Sequence, residues 1–169
     1  MKNAKTLATL SMFLATAIIL GYVERLVPSP VPALPGIKLG LANGVFIILL
    51  YLRDFKTAAL VNILRILLIG MLFTGVNGML YALSGALLSM PAMLLAKKCR
   101  VFGLVGISVL GAVMHNFGQV AFGAFLVNNI MFFYYLPVLL FSGIITGIVV
   151  GLVSGNCISR LEPVLRRGG

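Results

Sequence analysis

Apolar runs long enough to cross a bilayer follow one another through almost the whole chain, and the connections between them are short. Crossing the hydrocarbon takes about 20 residues of helix, fewer where a helix packs inside a bundle. Six runs qualify, at about 6–23, 39–52, 57–74, 77–96, 102–127 and 132–156. In lipid every backbone N–H and C=O must find its partner inside the protein, so such runs fold as helices in a bundle. Composition enters here: 61% of the 169 residues are hydrophobic and 9% are charged, against roughly a quarter charged in a soluble domain. No hydrophilic stretch is long enough for a second domain. One all-α integral membrane domain over 1–169, a six-transmembrane-helix bundle, is expected.

The net charge of +10 is arranged for orientation. Basic residues sit in short loops rather than on a solvated face, which argues against a nucleic-acid partner. Along the alternating runs, Lys2, Lys5, Arg53, Lys56, Lys97, Lys98, Arg100, Arg160, Arg166 and Arg167 fall on one side, and only Arg25 and Lys38 on the other. Cytosolic loops carry the excess of Lys and Arg, so both termini are expected in the cytosol and "PSPVPALPGIK" outside, in a multi-pass protein of the bacterial cytoplasmic membrane. With no tryptophan, interface anchoring falls to tyrosine, lysine and arginine. Met1 to Gly21 has the look of a signal peptide but lacks a convincing small-residue cleavage site, so a retained first helix is favoured. Cys99 and Cys157 have no paired spacing and read as reduced small residues.

Polar residues inside these runs are the candidates for function. Arg65 lies eight positions into the third run, about 12 Å along the helix. An arginine near the bilayer centre costs about 2.5–3.5 kcal/mol on insertion scales. The only acids are Glu24, Asp54 and Glu162, all near run ends and none expected at the depth of Arg65. Either carbonyls and water satisfy the guanidinium, or it faces a cavity that takes an anion. Asn62 lies one turn before it. In the fifth run, "MHNFGQ" sets His115 and Gln119 four apart on one face with Asn116 beside them. Three such side chains in a helix interior need partners, either across helices or on a ligand. His115 is the single histidine and no carboxylate lies near it in sequence, so neither a metal nor a cofactor is expected.

Threading the runs through the bilayer brings these positions to similar depth. Lys38 comes to the outer mouth of the second run, and Asn43 lies a turn below. Arg65, His115, Asn116 and Gln119 reach middle to outer depth, near Asn77 and Tyr81 at the start of the fourth run. An outward-facing polar pocket follows. Its candidate ligand-binding residues are Lys38, Asn43, Arg65, Tyr81, His115, Asn116 and Gln119. Pro32 and Pro35 restrict the chain ahead of the second run, so its start is expected to be irregular. Small residues recur four apart at Gly36, Gly40 and Gly44, at Gly143, Gly147, Gly151 and Gly155, and in the first run at Ala4/Ala8 and Ser11/Ala15. Such rows let another helix lie close, whether from this chain or from another subunit.

The stretch "LPGIKLGLANG" resembles the Gx transporter family, also labelled heptaprenyl diphosphate synthase component I. Six spans in a chain of this size are also similar to the substrate-binding S components of energy-coupling factor (ECF) transporters. That resemblance implies a membrane subunit that captures a small molecule outside and works with a coupling subunit and ATPases. In S components small residues of the first helix meet the coupling subunit, a role that Ala4, Ala8, Ser11 and Ala15 match here. The synthase label has no support in the residues. There is one aspartate and no DDxxD pair for magnesium-bound diphosphate, no P-loop, and no nucleophile–base arrangement. The expected function is therefore non-enzymatic: a membrane-embedded binding subunit of an ECF-type importer for a small, anionic molecule, with membrane lipid around it. The alternative is a non-catalytic accessory protein of isoprenoid or quinone synthesis that holds a prenyl diphosphate.

Overall fold

A computed structural model describes residues 2–26 and 40–167. Its α-helices are α1 (Lys2–Leu26), α2 (Leu41–Leu52), α3 (Phe55–Ile69), α4 (Gly75–Cys99), α5 (Leu104–Val127) and α6 (Leu136–Arg167). A π-helical turn, Gly70–Thr74, extends α3, and a 3₁₀ turn, Ile130–Tyr135, leads into α6. No strand occurs among the described residues. The irregular segment expected around Pro32 and Pro35, with Gly36 and Lys38, lies outside the described residues.

Four helical runs are long and apolar enough to cross a membrane: Ala4–Glu24, Phe55–Cys99, Leu104–Val127 and Ile130–Leu165. The protein is thus an all-helical, membrane-embedded bundle. α2 falls short, since its 12 residues make a rod of about 18 Å against a hydrocarbon core of about 30 Å. The 45-residue run is not one rod. Gly75 adopts φ +69°, a conformation natural to glycine and strained for other residues. There α4 turns back along α3, so that a Cβ placed on Gly70 would stand 2.6 Å from Met79 Cβ. In an unbroken helix those residues would be about 13.5 Å apart.

α2 is short but central. Ala42, Gly44, Val45, Phe46, Ile47, Leu49 and Leu50 are all buried, as expected of a helix that is apolar all round. It packs on α1, α3 and α6. Side chains close some of the helix ends. Asp54 caps α3, its carboxylate accepting from the Thr57 hydroxyl at 2.6 Å and the Thr57 amide at 3.2 Å. Those two bonds hold the Asp54 carboxyl below its ordinary value. At the same end of the bundle, Lys97 of α4 donates to the Leu50 carbonyl and lies 4.6 Å from the centre of the Tyr51 ring. A cation at the C-terminus of α2 complements both the free carbonyls and the helix dipole.

α5 is held close on both sides by small residues. Gly118 meets the Ser84 carbonyl of α4, with a Cβ position 2.7 Å from that oxygen. On the other side Gly147 meets Val109 Cα and Gly151 meets Val105 Cα, with Cβ positions at 2.6 and 2.9 Å. The Gly143–Gly151 row of α6 is therefore an internal seam against α5, not a free face. Gly155, at its end, meets only Leu104 Cδ2 at 3.9 Å. α1 is peripheral, and Ala17 is its one buried residue among those described. Cys99 and Cys157 are free.

Candidate functional site

A cavity of about 140 Å³ opens between α1, α2, α3, α4, α5 and α6 near the end of the bundle that holds Gly40 and Thr74. Five of the residues singled out from sequence line it: Asn43, Arg65, His115, Asn116 and Gln119. Each comes from a different local logic. Gly40, at φ +70°, sets the start of α2 and its carbonyl accepts from Asn43 N–H at 2.9 Å, so Asn43 stands in the first turn facing inward. Arg65 is 8% exposed, and its Nη2 donates to Asn43 Oδ1 at 3.0 Å. Its Nε has no hydrogen-bond partner. An enclosed polar atom left in that state costs about 1–3 kcal/mol, more when charged.

On α5, the Asn116 amide donates from Nδ2 to the Leu139 carbonyl of α6 at 2.7 Å, and Asn116 lines the cavity. His115 lies over Gly85 of α4, where a Cβ would come within 2.7 Å of the imidazole. The absence of a side chain at Gly85 is what lets the ring lie there.

Glu24 is the residue that sequence reasoning missed as a cavity group. It lines the same cavity as Arg65 and lies within Coulombic reach of it. Its Oε1 accepts the Leu41 N–H at 2.8 Å, capping α2 from α1. The expectation that no acid stands at the depth of Arg65 holds for the backbones, but Glu24 shares the cavity wall with it. Gly21 packs against Ile69, so the Glu24 and Arg65 backbones are offset by roughly two helical turns. Both side chains reach the same cavity, which a comparison of backbone depths alone overlooks. Thr74, Gly78 and Thr146 also line the cavity.

Two other expectations fare differently. Tyr81 does not line the cavity: Gly78, Met79 and Ala82 do so from α4, and the Tyr81 ring turns to Phe122, edge-on at 5.3 Å. The helical rotation between neighbouring residues, about 100° each, takes it off that face. Lys38 lies outside the described residues. Ala4, Ala8, Ser11 and Ala15 are exposed along α1.

A smaller cavity of about 30 Å³ adjoins the first and shares Gly40, Asn43, Ala112 and Thr146 with it. Asn62 and Ser108 line it, and Asn62 Oδ1 and Ser108 Oγ have no hydrogen-bond partner. The Asn62 amide donates from Nδ2 to Met90 Sδ at 3.4 Å, a weak acceptor. No cluster of three or more metal-ligating side chains occurs among the described residues.

A helical bundle that closes around a small polar cavity defines an integral membrane protein with a charged interior site. The chain belongs to the heptaprenyl diphosphate synthase component I family, also called the Gx transporter family, whose profile matches residues 13–157. No curated protein and no solved structure shows significant similarity to it.

Proposed function

We propose that the protein is the substrate-binding membrane subunit of an ECF-type importer, and that it captures a small molecule with an acidic group in the Arg65 cavity. The observation that carries this reading is the meeting of Asn43, Arg65, His115, Asn116 and Gln119, from three separate helices, around one cavity. Intramembrane ionisable groups are expensive and are kept where they face a pathway or a ligand. The charge asymmetry of the loops supports six crossings with both termini in the cytosol and the cavity toward the outer face. Small residues exposed along α1 suit a coupling subunit that supplies the energy.

Volume supports a small ligand. A site of about 150 Å³ takes a molecule the size of benzene, close to the 140 Å³ found here. The accessory reading draws on a different feature, an apolar groove of about 530 Å³ between α1, α2 and α6 that suits a hydrocarbon chain. That groove shares no lining residue with the Arg65 cavity, so a diphosphate at Arg65 would not place its chain there.

Native mass spectrometry of the purified protein tests the proposal. The expected result is a co-purified small molecule that is lost from Arg65→Gln, with binding weaker by about 1.5–3 kcal/mol, the range for a hydrogen bond to a charged group. An adduct retained at full strength in Arg65→Gln, or a polyprenyl diphosphate in its place, would overturn it.

A further inference from the structure

We propose that the ligand of the Arg65 cavity is a zwitterion, with its acidic group on Arg65 and a cationic nitrogen on Glu24. The inference rests on the proposed binding function and narrows the substrate class. Among the described residues the cavity wall carries one guanidinium, from α3, and one carboxylate, from α1. Neither is saturated by the described residues. Arg65 has five N–H donors; Nη2 serves Asn43, and Nε, on a side chain that is 8% exposed, has no partner. Glu24 accepts one backbone N–H, from Leu41, and a carboxylate has room for about four hydrogen bonds.

These two charges constrain what can enter. A ligand carrying only an acidic group gains Arg65 but meets Glu24 across a cavity of about 140 Å³, where low dielectric leaves like charges poorly screened. A purely cationic ligand meets the same obstacle from Arg65. A neutral, apolar ligand would displace water from Arg65 and from the remaining acceptor sites of Glu24 without replacing its hydrogen bonds, which is costly for each. Only a dipolar ligand satisfies both ends, and the volume limits it to about the size of benzene. Thr146 and the Asn116 side chain add neutral hydrogen-bonding groups on the remaining wall. The site is thus built for a compact amino acid or a molecule of the same charge pattern.

The test uses the full chain in detergent and three probes of equal non-hydrogen atom count. β-Alanine carries both charges, butyrate only the anion, and 3-aminopropanamide only the cation. Thermal-shift titration or calorimetry is expected to give β-alanine at least tenfold tighter binding than either single-charge probe. Glu24→Gln keeps an oxygen for the Leu41 N–H, so α2 stays capped. It is expected to lower β-alanine affinity at least tenfold and to leave butyrate binding equal or improved. Butyrate binding as tightly as β-alanine in the wild type would overturn the zwitterion while leaving an anion-binding subunit standing. No preference for β-alanine, together with no Arg65-dependent adduct in native mass spectrometry, would overturn both.

Discussion

Gly147 and Gly155 sit two turns apart in one row of α6, yet adding a methyl group to each is expected to change stability in opposite directions. At Gly147 the new Cβ would lie 2.6 Å from Val109 Cα and 3.1 Å from Val109 N. Ordinary contact begins near 3.4 Å, so α5 and α6 must part locally by about 0.8 Å. The atoms in the way are backbone and not the end of a flexible side chain. Overpacking costs about 1–3 kcal/mol, and a clash with backbone belongs in the upper part of that range. Replacing a helical glycine with alanine returns up to about 1 kcal/mol. Gly147→Ala should thus lose about 1–2 kcal/mol, or about 2–8 °C in Tm at the scaling for chains of 150–250 residues. At Gly155 the nearest atom is Leu104 Cδ2 at 3.9 Å. Gly155→Ala should therefore gain up to about 1 kcal/mol and melt up to about 4 °C higher. Thermal melts of both variants in the same detergent decide the matter. Equal effects would refute the internal seam. Unchanged melting of both, with a lost subunit contact, would make the row a docking face instead.

The remaining predictions concern polar burial and the partner surface. Asn62→Leu removes an enclosed amide whose oxygen has no partner and keeps a similar volume. The variant should be at least as stable as wild type, by up to about 1–3 kcal/mol, and a lower melting temperature would mean that the amide is paired. Ala8→Leu or Ala15→Leu, both at exposed positions of α1, should reduce co-purification with a coupling subunit while the melt of the isolated protein is unchanged. Unfolding of both variants would place those residues in internal packing.

Sequence alone determined the solvent, the class and most of the cavity. Six apolar runs with charge mostly confined to their ends point to a helical bundle in lipid, and each run overlaps a helix of the structure, although four helical runs are long enough to cross a membrane. Polar residues stranded in such runs are few, so Asn43, Arg65, His115, Asn116 and Gln119 stood out before any contact was known. Tertiary structure decided which way each helix faces. It turned Tyr81 to Phe122 and away from the cavity. It set the Gly143–Gly151 row against α5, and it brought Glu24 from the end of α1 to the start of α2, on the wall of the cavity that Arg65 lines. In water a helix announces its inner face by a stripe of apolar residues. In lipid the inner and outer faces are both apolar, so rotation is settled by close packing at small residues and by the pairing of a few polar side chains. Those are contacts between distant segments, which no local pattern records.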